Sequence, residues 1–387
     1  MRYLLIGLGV LLVLAAFVFF GILPQVVAAR MNTFTRPPPY DASDQADRLH
    51  DGLFVADLHD DLLLWRRDPL ERHDYGHTDV PRLIEGNVGL QVFSVVTHSP
   101  SGQNYEENPS DSDRLPLLAV AQRWPVGTWF SFKGRALHQA RKLRDAVARS
   151  AGRLTLIETR ADLERFLTRR DHEPDILAGL LAMEGMHALE GDLANLQVFY
   201  DAGYRMMGPT HFIDNDVAGS AHGVERGGLT ELGRRAVRQA EELGILLDLA
   251  HLSPQGIQDI LAMANRPIVV SHTGVKGTCE GSRNLSDQEI RGVAATGGVI
   301  GIGFWTGAVC DASVQAVVDA MRYTADLVGV EHVALGSDFD GSVHTPFDAS
   351  GLVLLTEGLL EAGFTRDEIA LIMGENVRRL LLETLPG

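Results

Sequence analysis

Eight short runs of unbroken apolar, largely β-branched sequence recur along this chain, and they restrict its fold more than any other feature. They are Leu53–Leu58, Val88–Val96, Ile176–Met183, Tyr204–Thr210, Gly244–Ala250, Pro267–Ser271, Gly297–Phe304 and His332–Gly336. A strand with one wet face alternates apolar and polar residues, whereas an unbroken apolar run marks a strand covered on both faces, as in a parallel sheet. Amphipathic stretches such as Ala136–Arg149, Leu229–Leu243 and Ala312–Val328 lie between the runs and repeat at a helical period. Eight alternating units predict an α/β fold, a (β/α)8 TIM barrel. The 387 residues, 45% of them hydrophobic, suffice for one such domain. A doubly wound open sheet is the alternative, but no glycine-rich phosphate loop follows the first run. The stretch from His98 to Asp175 is longer than an ordinary strand-to-helix connection. Its first part, Ser99–Asp113, reads as an exposed loop on the rim where a catalytic site would sit.

The residues at the C-terminal end of each run carry the chemistry. The first run leads into His59-Asp60-Asp61, the third into Glu184-Gly185, the fourth into Thr210-His211 and the fifth into His251. The sixth ends at His272, and the eighth runs into Ser337-Asp338-Phe339-Asp340-Gly341. Active sites of such barrels lie at the C-terminal ends of the strands. Any one histidine there is more often a hydrogen-bonded rim residue than a ligand. Six strands ending in His, Asp or Glu are hard to attribute to packing. Alternation sends His59 and Asp61 to one face, where both can grip one ion. His251 and His272, on neighbouring strands, suit a second, and Glu184 can span the two. Imidazole and carboxylate donors fit zinc or a similar divalent ion, and two such ions about 3.5–4 Å apart would activate a bridging water. No serine elbow or catalytic cysteine pattern competes with a hydrolase of this kind. A barrel that only binds, without catalysis, would be expected to have lost a ligand, and all five positions are filled.

The N-terminus sets the compartment. From Tyr3 to Leu23 the chain is apolar and uncharged, long enough to cross a bilayer as a helix of about 20 residues. A cleaved signal peptide is the competing reading, with Val27 and Ala29 before Arg30, but its apolar core is usually shorter. Residues 1–30 therefore read as a membrane anchor (or signal peptide), 31–48 with Pro37, Pro38 and Pro39 as a linker, and 49–387 as the catalytic domain. Either reading places the domain on the extracytoplasmic, in a bacterium periplasmic, side. The net charge of −17 excludes a nucleic-acid partner, because no basic stripe can replace phosphate counterions. It also leaves apolar sequence as the sole means of holding a membrane. Oligomeric state is open, a homodimer included. The even count of two cysteines, Cys279 and Cys310, permits one disulfide without requiring it.

The ordered motifs LHDD (58–61), HTDVPRL (77–83), AMEG (182–185), DLAH (248–251), VSH (270–272), RNLSD (283–287), GSDFDG (336–341) and GENVRRL (374–380) resemble those of the membrane dipeptidases, also called renal dipeptidases. The resemblance runs from about Asp51 to Arg379 and implies an amidohydrolase-like barrel with two Zn2+ ions. It implies that His59 and Asp61 hold one ion, His251 and His272 the other, and that Glu184 bridges them. It implies further that Asp338 handles the substrate amino group and a proton, that Arg283 binds the carboxylate of a small dipeptide, and that His211 supports the scissile carbonyl. The chemistry agrees. A guanidinium grips a carboxylate bidentately, an Asp at a strand end can pair with an ammonium or relay a proton, and an imidazole can donate to a developing oxyanion. Asp340 reads as structural. The family's animal members bridge cysteines at the positions of Cys279 and Cys310, which implies the same bridge here. Val217 stands near a tryptophan of those members and Trp305 replaces a tyrosine, while His222 is additional. These departures bear on the substrate rather than on the metals, and leave a binuclear amidohydrolase acting on another small amide, lactone or N-acyl amino acid as the alternative function.

Overall fold

A computed structural model describes residues 2–387 of the chain. All eight apolar runs form strands: β1 (Val55–Asp60), β2 (Val88–Phe93), β3 (Leu177–Glu184), β4 (Tyr204–Gly208), β5 (Leu246–Leu247), β6 (Val269–Thr273), β7 (Val299–Ile302) and β8 (Val333–Leu335). Neighbours pair in parallel in the order β5-β4-β3-β2-β1-β8-β7-β6. A parallel bridge between Asp248 and Val269 joins the two ends of that path, so the sheet curls into a TIM-like barrel. β1, β3 and β6 extend past the ends of their apolar runs to His59, Glu184 and His272, whereas the other strands are shorter than theirs. The β5 run continues to Ala250 in sequence, yet only Leu246 and Leu247 are regularly paired before the chain turns at His251, whose φ is +63°.

Strand alternation decides what faces the axis. Ala56 and Leu58, Leu90 and Val92, and Ala178, Leu180 and Ala182 share one buried cluster with Met206, Leu246, Val269, Val299 and Ala334, so every strand contributes. Leu380 and Leu381 of the C-terminal helix pack against it. Glu184 keeps the parity of Leu180 and Ala182, and a register shift between Asp57 and Asp60 brings His59 to the same centre from β1. Asp57 of β1 accepts hydrogen bonds from the backbone and hydroxyl of Ser337 (2.8 and 2.7 Å) and from Gln91 Nε2 (2.9 Å). A buried carboxylate with three donors is tolerable where an unpaired one is not.

The long excursion after β2 is ordered. It holds helices Leu115–Ala121 and Phe132–Arg149 and a short strand, Leu154–Leu156, that pairs with β3. Residues 31–48, read as a linker from their prolines, are tied to the barrel: Thr33–Phe34 pairs with His344–Thr345, and Ser43 caps the helix Asp44–His50. Cys279 and Cys310 are bridged, which joins the segment after β6 to that after β7.

One buried histidine fastens several of these parts. His77 accepts from the Asp340 backbone N–H at Nδ1 (2.9 Å), and its Nε2 lies 2.9 Å from the Thr33 carbonyl, a pattern that requires the neutral ring. Burial lowers its pKa to about 4, against opposing attraction from Asp340. A group that binds its proton less tightly when folded removes stability as pH falls below the unfolded value near 6.5. This site alone should therefore cost about 2 kcal/mol at pH 5 relative to pH 7. Thermal unfolding of the wild type and His77→Gln at both pH values checks this. The wild type should lose the larger share of its melting temperature on acidification.

Candidate active site and metal centre

The strand ends bring the expected residues together. Glu184, closing β3, lies between the histidines: its Oε1 is 2.6 Å from His59 Nε2 and 3.7 Å from His272 Nε2, and its Oε2 is 2.7 Å from His211 Nε2. His251 Nε2 stands 3.0 Å from His272 Nε2. Asp61 Oδ2 and Asp338 Oδ1 approach His59 Nε2 at 3.8 and 4.0 Å. All of these side chains are buried. Three overlapping sets, His59–Glu184–His272, Glu184–His211–His251 and His59–Asp61–Asp338, each offer ligand atoms within 4.8 Å of one another.

The donor set fits divalent metal. His59 Nε2, Asp61 Oδ1 and both Glu184 carboxylate oxygens are buried without a hydrogen-bond partner. Orphaned buried acceptors are rare and costly, and here they converge. The charges agree. Burial opposes protonation of His59, but Glu184 and Asp61 hold its pKa well above the ordinary value. Burial raises Glu184, yet His211 and His59 bring it well below the usual carboxylate range. The pocket thus draws positive charge to its centre. His251 and His272 are held neutral mainly by burial, with neighbouring cations adding to it, and the neutral ring is the form that ligates.

A buried network orients two of these rings. Ser271 Oγ donates to Asp248 Oδ2 (2.5 Å), so its lone pairs are left to accept from His272 Nδ1 (2.8 Å) and His59 Nδ1 (3.3 Å). With both Nδ1 atoms donating, both Nε2 lone pairs point at the centre. Neither Asp248 nor Ser271 stands out in sequence. Each lies inside a motif around a histidine, but a buried Asp-Ser pair reads as packing until the fold sets it behind two rings.

The remaining candidates ring this centre. Asp338 adopts a left-handed backbone (φ +60°), as does His251, and such strain concentrates where structure fixes functional side chains. Burial, then Asp61 and Glu184, push the Asp338 pKa well up against the pull of His59 and Arg283. Arg283 is buried, donates to the His272 carbonyl and lies 5.4 Å from the centroid of the Trp305 ring. Its Nε has no partner. His211 lies against Glu184, closer to the metal set than an oxyanion donor need be. Asp340 faces away and binds Arg67, Thr78 Oγ1 (2.8 Å) and the His77 N–H (2.8 Å), which gives it a structural part. The Ser99–Asp113 loop reaches over the site. Its Tyr105 hydroxyl accepts from Trp305 Nε1 (2.7 Å), and its carbonyl accepts from Ser282 Oγ (2.7 Å) and faces the His222 Nδ1 (3.0 Å). His222 itself stacks on Phe212, and Val217 is buried in the core. Asp61, Glu184, His211, His251, His272, Arg283, Trp305 and Asp338 all line one cavity of about 280 Å³.

A parallel barrel with buried histidines and carboxylates at its strand ends is the architecture of a metal-dependent hydrolase. The chain belongs to the membrane dipeptidase family (peptidase family M19), whose model matches residues 43–385, and it is a metallo-dipeptidase of that family. It is similar to the dipeptidase aclJ of Aspergillus oryzae, 26% identical over 348 residues that cover 84% of this chain and 77% of the relative. Among solved structures it is similar to the metallopeptidase dipeptidase AC, with 27% identity, a TM-score of 0.71, and coverage of 87% of this chain and 99% of that one. A metallopeptidase from Rhodobacter sphaeroides, liganded with a phosphinate mimic of the dipeptide L-Ala-D-Ala, is also 27% identical, with a TM-score of 0.69 and coverage of 86% and 99%.

Proposed function

We propose that the protein is a zinc dipeptidase with two ions per chain, His59 and Asp61 holding one, His251 and His272 the other, and Glu184 both. The observation that carries this is Glu184, buried with two unpartnered oxygens that face different histidines. When bound, the ions polarise the scissile carbonyl and lower the pKa of the attacking water. The chain's own residues do the rest. Arg283 takes the free carboxylate of the dipeptide, and Asp338 pairs with its ammonium. The raised pKa of Asp338 suits it to carry a proton from water to the leaving amine. His211 donates to the carbonyl oxygen as negative charge develops. The Tyr105 loop and Trp305 exclude bulk water from the cavity.

Residues 1–30 act as a membrane anchor, 31–48 as the connecting segment and 49–387 as the catalytic domain on the extracytoplasmic side. The helix Arg2–Met31 is long and apolar enough to cross a bilayer, and the side chains of its first turns are exposed. The disulfide fits an oxidising compartment.

Comparing alanyl-alanine with N-acetyl-alanyl-alanine tests the substrate class. A site built to hold a free ammonium should disfavour the acetylated peptide by at least about 10²-fold in kcat/KM. Equal turnover of both would favour an amidohydrolase of broader N-acyl specificity.

A further inference from the structure

The cavity that holds the candidate metal site does not end there. It continues along an apolar wall to the N-terminal helix, where Phe19, Leu23, Val27 and Met31 recur at every fourth residue as one stripe. The facing wall is Leu118 and its neighbours on the helix Leu115–Ala121, with Leu64 and Val343 between.

The helix is held in place. Pro24 has no N–H, so it cannot satisfy the carbonyl of Phe20 four residues earlier, and a π-turn spans Val18–Ile22 just ahead of it. Arg66 donates to that freed carbonyl, and Arg123 lies 5.6 Å from the centroid of the Phe20 ring. Ala28 is buried in a cluster with Trp65, Val96 and Ala119. At the helix end, Asn32 Nδ2 donates to Ala28 O (3.0 Å), and its Oδ1 accepts from the Ser342 backbone N–H (2.8 Å). The helix is thereby fastened to the loop that carries Asp338.

Topology assigns the channel to one end of the substrate. Its apolar residues come from the segments after β1, β2 and β8, on the side of Asp61 and Asp338. Arg283 approaches from the opposite side, after β6. Resting on the dipeptidase reading, in which Asp338 takes the ammonium and Arg283 the carboxylate, we propose that the N-terminal helix forms a specificity wall for dipeptides whose first residue bears a large apolar side chain. Leu23, Val27 and Leu118 are the residues that contact it.

The test uses the full chain in lipid nanodiscs with three peptides: norleucyl-alanine, alanyl-alanine and alanyl-norleucine. The wild type should prefer norleucyl-alanine to alanyl-alanine by about tenfold or more in kcat/KM, since each buried methylene strengthens binding. The double variant Leu23→Ser/Val27→Ser should lower that ratio about tenfold, chiefly through KM. Leu118→Ser, on the other wall and outside the helix, should act in the same direction even if the double variant loosens the helix. A ratio near one in the wild type, a ratio untouched by both variants, or a preference for alanyl-norleucine would each overturn the inference while leaving the dipeptidase reading intact. Hydrolysis of none of the three would overturn that reading and this inference with it.

Discussion

Glu184→Ala should abolish dipeptide hydrolysis, with an expected loss in kcat of at least about 10³-fold, and should release metal from the protein. The size of the effect comes from position. Glu184 turns its two oxygens to different histidines, at 2.6 Å from His59 Nε2 and 2.7 Å from His211 Nε2. Removing it leaves those rings, with Asp61 and Asp338, around a centre that no longer has its shared anion. In the proposed two-ion centre a bridging anion is also what would let two cations stand close together, so both sites should weaken at once. Several kcal/mol of transition-state stabilisation depend on the ions, and each 1.36 kcal/mol is a factor of ten in rate. Steady-state kinetics together with metal content after dialysis checks both halves. Retention of full activity would contradict the account.

Asp338→Asn should separate proton transfer from metal binding. The expected loss in kcat is about 10²–10⁴-fold, the range for removing a positioned general acid or base, while metal content stays near that of the wild type. Asparagine fills the same left-handed position at φ +60°, because it tolerates that conformation better than most residues. The backbone of the β8 loop should therefore survive, as should the ties of Asp340 to Arg67 and Thr78. Loss of metal along with activity would instead place Asp338 among the ligands. That outcome is chemically distinct, since Asp338 lies 4.0 Å from His59 Nε2 and shares a ligand set with Asp61.

Much of this is legible in the sequence, and the reason is local. A strand buried on both faces must be apolar throughout, so eight such runs announce eight strands. A strand end in a barrel is also where the axis is reached, so the residue just after each run is placed by the run itself. That is why His59, Glu184, His251 and His272 can be read together before any contact is known. Features set by tertiary contact are not legible. Tyr105 sits in an aperiodic loop, and nothing local shows that it meets Trp305 two hundred positions on. Ser271 and Asp248 become a device for orienting rings only when β5 and β6 meet to close the barrel across from β1. The prolines at 37–39 suggest a free linker, yet pairing of Thr33–Phe34 with His344–Thr345 fastens that segment. The N-terminal apolar stretch is long enough for a bilayer, and length says nothing about a catalytic cavity that borrows its last turns.

Anomalous diffraction at the zinc edge from crystals of the zinc-loaded protein tests the central claim most directly. The account predicts two peaks in the barrel mouth, one bonded to His59 and Asp61, the other to His251 and His272, with Glu184 bonded to both. A single peak, or peaks that leave Glu184 uncoordinated, would contradict it.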